Sequence, residues 1–105
     1  QKLLQRLMVM KKRPDAVIAG SDQVAAGIIA EAQTMQLKVP EDLAVLGFDD
    51  QPLSRVVARP LTTIHQPVHE IGDRIANMVA DALEGKSIEV KEVVLPLSLV
   101  VRQSV

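Results

Sequence analysis

The chain has no cysteine, no tryptophan and no tyrosine, and Phe48 is its only aromatic ring. Without cysteine there is no disulfide framework, no thiolate metal site and no thiol nucleophile. With one ring, a sugar or base held by stacking must borrow its aromatics from other sequence. Charge of one sign is also missing: 12 basic and 13 acidic residues leave a net charge of −1. A nucleic-acid surface needs a basic stripe to displace counterions, so DNA contact has no footprint here. No apolar run approaches the roughly 20 residues of a membrane span, and the start has no signal-peptide layout. What is present is a 48% hydrophobic chain of 105 residues, enough for one domain or part of one.

Leu3, Leu4, Leu7, Met8 and Val9 fall at helical spacing, with Lys11, Lys12 and Arg13 expected at the helix C-terminus and Pro14 as the stop. Because Gln1-Lys2-Leu3-Leu4 reads as the middle of a helix, the chain is expected to be a fragment. A first strand is expected over 16–19. Ser21 or Asp22 then caps a helix whose apolar stripe is Ala25, Ile28, Ile29, Ala32 and Met35. A second strand, 43–48, is a continuous apolar run that predicts burial on both faces. Asp50 suits the N-cap of a short turn after Pro52. A third strand spans 61–65, and Pro67 opens an amphipathic helix to Leu83 with Val68, Ile71, Ile75, Met78, Val79 and Ala82 inward. A polar link through Lys86, Ser87 and Glu89 leads to short strands over 93–95 and 97–102. This alternation predicts an α/β fold with a mostly parallel sheet and helical crossovers.

Ligands of such folds gather beyond the carboxyl ends of the strands. Two strands end in polar residues there: Gly20-Ser21-Asp22 and Asp49-Asp50. An ionised Asp49 can accept two charge-assisted hydrogen bonds from vicinal hydroxyls or an amine. The blander alternative leaves Asp49 an exposed strand-end carboxylate. Ser21 fits a cap or a ligand contact better than a nucleophile, because its surroundings lack the G-x-S-x-G elbow. A magnesium role for Asp49 requires a phosphate loop that the sequence lacks. His65 and His69 have the spacing of a helical zinc pair, but Pro67 between them keeps them off one helical face. His65 is therefore expected to end a strand and His69 to face water. No metal or cofactor is expected, and no nucleophile–base pair supports an enzyme.

Four ordered blocks then carry a resemblance: residues 13–27 around Ala-Gly-Ser-Asp-Gln; 39–50, Val-Pro-Glu-Asp-Leu-Ala-Val-Leu-Gly-Phe-Asp-Asp; 59–67, Arg-Pro-Leu-Thr-Thr-Ile-His-Gln-Pro; and 99–104, Leu-Val-Val-Arg-Gln-Ser. Together they resemble the lactose/galactose-repressor (LacI/GalR) family of transcriptional regulators. The resemblance implies a periplasmic-binding-protein-like type I effector domain, a three-layer parallel-sheet sandwich, present only in part. Residues 1–58 and 96–105 would belong to its C-terminal lobe and 59–95 to its N-terminal lobe. The DNA-binding headpiece would be absent.

By motif position, Asp49, Ser21 and Gln66 would contact a small polar effector, a sugar or related metabolite, in an interlobe cleft. Its binding would control operator affinity in a cytoplasmic homodimer or higher oligomer, with DNA contacted only through the absent headpiece. The helix over 22–32 and the 53–57 turn would be candidates for dimer contacts, with helix-on-sheet packing as the equal alternative. A periplasmic sugar-binding protein of the same fold is the alternative. One departure stands out: relatives often carry glycine where Gln36 stands, so Gln36 must turn left-handed or end its helix differently.

Overall fold

The computed structural model describes residues 2–87 and 92–105; Gln1 and Glu89 lie outside the described residues. The described chain forms two compact units. The first holds residues up to His65 together with Ser98–Val105, and the second is Gln66–Leu97.

In the first unit, α1 (Lys2–Met8), β1 (Ala16–Ile18), α2 (Asp22–Thr34), β2 (Ala44–Asp49), a 3-10 turn (Pro52–Arg55), β3 (Thr62–His65) and β4 (Ser98–Val100) follow in order. The sheet order is β1-β2-β3-β4. The first three strands are parallel, with Ala16 opposite Ala44 and Leu46 opposite Thr62; β4 returns antiparallel, Leu99 opposite Ile64. The core is built from Leu4, Ala25, Ile29, Ala32, Val39, Leu43, Val45 and Leu61. The buried stripe of α2 follows the expected spacing, with Ile28 and Met35 at its half-buried edge.

Several expectations are corrected. Helix α1 stops at Met8, so Lys11 and Lys12 stand beyond its last turn in a bend, with Arg13 following it. The β2 run is not buried on both faces: Val45 and Gly47 are buried while Ala44, Leu46 and Phe48 are half-exposed. Helix α2 covers one face. On the other, Ala16, Ile18, Ala44, Leu46, Leu99 and Val101 line an open apolar hollow of about 250 Å³. Hydrophobicity reports the need for cover, and the described residues supply it on one side. Residues 93–95 form no strand.

The C-terminus of α2 resolves the Gln36 question. Gln36 adopts φ 59, its N–H donates to Gln33 O at 3.0 Å, and Leu37 N–H donates to Ala32 O at 2.9 Å. That is a Schellman ending with glutamine in the position glycine usually fills.

The second unit is α3 (Val68–Leu83) and the segment that follows it. Gly85, φ 73, ends the helix by the same device, Gly85 N–H to Ala82 O and Lys86 N–H to Asp81 O. Ile71, Ile75 and Met78 of the expected inward face line an open hollow with Val93, Leu95 and Leu97. No residue of α3 is fully buried, however, so the amphipathic pattern has more apolar surface than the described residues of this unit cover.

Candidate functional site

Parallel pairing brings two polar strand ends to one edge. Ile18 lies opposite Leu46, and Ala19 N–H continues the ladder to Leu46 O at 2.8 Å. Ser21 follows in an extended conformation, φ −159 and ψ 161, as the N-cap of α2; its Oγ accepts from Val24 N–H at 3.3 Å. Accepting there leaves the hydroxyl hydrogen to donate to another group. Asp49 ends β2, and Gln51 Nε2 donates to its Oδ2 at 3.5 Å.

Asp49 and Asp50 both have positive φ, 105 and 51. Non-glycine residues in such conformations cost roughly 1–3 kcal/mol each and persist only where surrounding contacts over-determine them. Those contacts come from three directions. The buried Asp22 carboxylate accepts from Gln51 N–H at 2.7 Å and from the Thr63 hydroxyl at 2.5 Å. Asp50 N–H approaches Thr63 Oγ1 at 3.4 Å. Asp50 itself faces Arg102, whose Nη2 donates to Oδ1 at 2.6 Å, and His65, whose Nδ1 lies 3.1 Å from Oδ2.

Asp50 is therefore not the N-cap of the 3-10 turn. Gln51 occupies that position, and the Asp50 carboxylate belongs to an ion-pair cluster with Arg102, His65 and Ser54. Burial pushes the Asp50 carboxyl up, but the hydrogen bonds from Arg102 and His65 and the charges of Arg102 and Arg55 outweigh it. The group sits below its ordinary value of 3.8. Arg102 also donates to Ser54 Oγ at 3.1 Å and Leu61 O at 2.8 Å, so the closing Arg-Gln-Ser block is a structural clasp. Ser104 completes it, donating to Val45 O at 2.6 Å and accepting from Thr62 N–H at 2.8 Å.

Ser21 and Asp49 thus stand on the same edge of one unit. Gln66 is the first residue of the other unit, where it is half-buried beside Ile71 and Arg74. His65 ends β3 and His69 is exposed in the first turn of α3, as expected. Sequence reading missed the roles of Asp22 and Arg102. Asp22 passed as a second capping candidate because its inward turn depends on Thr63, 41 residues away.

The periplasmic binding protein-like domain family matches residues 1–105. The chain belongs to that family. The NTD biosynthesis operon regulator NtdR of Bacillus subtilis (strain 168) is 40% identical over 104 residues, covering 98% of this chain and 32% of the regulator. The HTH-type transcriptional repressor CytR of Escherichia coli (strain K12) is 36% identical over 103 residues, 98% of this chain and 30% of the repressor. A LacI family transcriptional regulator from Lactobacillus casei, solved with bound sucrose, aligns with TM-score 0.84 and 37% identity over 99% of this chain and 38% of that one. The same regulator has been solved with glucose. The chain spans about a third of the length of these relatives and corresponds to part of a LacI-type effector-binding domain. Its relatives are transcriptional regulators rather than enzymes. Among the described residues, no helix is long and apolar enough to cross a membrane.

Proposed function

We propose that this chain is the effector-sensing part of a cytoplasmic, DNA-binding repressor that responds to a small polar metabolite, a sugar first of all. The expected lobe boundaries at 58 and 96 are revised: β3 is hydrogen-bonded between β2 and β4, so 59–65 is read with unit one as part of the C-terminal lobe, and Gln66–Leu97 as part of the N-terminal lobe. One observation carries the proposal: an acceptor carboxylate, Asp49, and a hydroxyl with a free hydrogen, Ser21, share the edge where parallel strands end. A polyol suits that pair, since one hydroxyl donates to Asp49 while another accepts from Ser21. Gln66 adds an amide by motif position. Support also comes from a relative that binds sucrose and glucose.

The metabolite controls DNA binding only through its differential affinity for two arrangements of the lobes. The operator is then contacted by a headpiece outside this chain, in a homodimer or higher oligomer. Calorimetry on the intact protein with sucrose, glucose and related sugars tests the reading. Saturable binding that shifts operator affinity is expected. Absence of binding across the sugar panel would remove the sugar assignment.

A further inference from the structure

Asp22 follows the half-buried strand-end residue Ser21 yet is itself wholly buried at the first position of α2. A carboxylate out of water is unfavourable unless strong donors meet it, and here both oxygens are met. Oδ2 takes the Gln51 backbone N–H at 2.7 Å and Oδ1 the Thr63 hydroxyl at 2.5 Å, while the positive end of the α2 dipole lies behind. With no exposure and both oxygens engaged, Asp22 is not placed to touch a ligand.

Its two bonds instead bracket the strained turn. One reaches Gln51, the residue after the positive-φ pair Asp49 and Asp50. The other fixes Thr63, whose Oγ1 faces Asp50 N–H. Gly47 shows how closely β2 passes the carboxylate. A Cβ built on Gly47 would collide with Asp22 Oδ1 and stand 2.6 Å from Leu61 Cδ2. Strand, turn and helix start are therefore fitted around one buried charge.

We infer that Asp22 is a positioning residue: its buried carboxylate holds the Asp49–Gln51 turn in the backbone conformation that presents Asp49. The inference rests on Asp49 being the acceptor for the metabolite, but the turn itself is observable without any ligand. In the intact protein, amide hydrogen exchange at Asp50 and Gln51 is measured for wild type, Asp22→Ala and Asp22→Asn, alongside calorimetry with sucrose and glucose. Asp22→Ala should speed Gln51 exchange roughly tenfold or more, with Val45 and Leu46 in β2 unchanged, and weaken the sugar by about the same factor. Asp22→Asn, which keeps one acceptor oxygen, should fall between.

If Asp22→Ala fails to fold, Thr63→Val and Thr63→Ser decide the matter: valine should loosen the Asp50 and Gln51 amides and serine should restore them. Exchange that rises uniformly across β2, or a Gln51 amide left as protected as in wild type, overturns the positioning role. If wild type binds neither sugar, the sugar reading fails, while the exchange result still decides what Asp22 does.

Discussion

Arg102 and Asp50, 52 residues apart, meet at 2.6 Å with side chains only 15% and 8% exposed. The pair ties the last segment of the chain to the turn that follows β2. Losing Arg102 from this part-buried pair removes a charge-assisted hydrogen bond and leaves Asp50 to His65 and Ser54, at a cost of about 1.5–3 kcal/mol. Arg102→Ala is expected to destabilise the intact protein by that order. Adding Asp50→Asn should recover part of the loss, so the double variant costs less than the sum of the singles by roughly 0.5–3 kcal/mol. Chemical denaturation of the four proteins measures this, and strict additivity would mean the pair is not coupled.

The same pair sets a pH dependence. Asp50 is held below its ordinary 3.8 in the folded protein, so the unfolded chain binds the proton more readily. Its contribution is fully present above about pH 4 to 5 and is lost as pH falls through the depressed folded value. Denaturation midpoints between about pH 5 and 2 should therefore fall less steeply in Asp50→Asn than in wild type. Equal slopes would show that Asp50 is not the group responsible.

Gln36 holds φ 59 at the end of α2, where a side chain adds strain that glycine avoids. Gln36→Gly is expected to stabilise the protein by about 0.5–1 kcal/mol, after allowing for the extra freedom of glycine in the unfolded chain. Thermal melting checks it. A lower midpoint would mean the glutamine side chain contributes a contact worth more than the strain.

Much of this fold was legible because its signals are local. The α2 stripe, the polar residues after β1 and β2 and the histidine that ends β3 all follow from neighbours in sequence, whereas the left-handed Gln36 was one of two endings that the family resemblance left open. The clasp of Arg102 and Ser104 was not legible, since Asp50, Leu61 and Val45 are reached only once the sheet has formed. Asp22 looked like a cap for the same reason. The β2 run was read as doubly covered because apolar residues state a demand for burial without naming what meets it.

That unmet demand has a consequence for the 105-residue chain on its own. Ile18 is 77%, Leu99 57% and Val101 70% exposed around one apolar hollow of the sheet. Contiguous apolar surface of this kind favours association. Light scattering of the isolated chain should report oligomers, and Leu99→Lys should raise the monomer fraction. A monodisperse, highly soluble monomer would contradict the expectation.

The most direct test of the account is calorimetry of sucrose and glucose binding to the intact protein, wild type against Asp49→Asn. Asparagine keeps the shape and removes the charge that strengthens the acceptor, a loss of about 1.5–3 kcal/mol. Sugar affinity is expected to fall by roughly 10- to 150-fold while operator binding without sugar stays unchanged. Wild-type sugar affinity in Asp49→Asn would take Asp49 out of the site and the account with it.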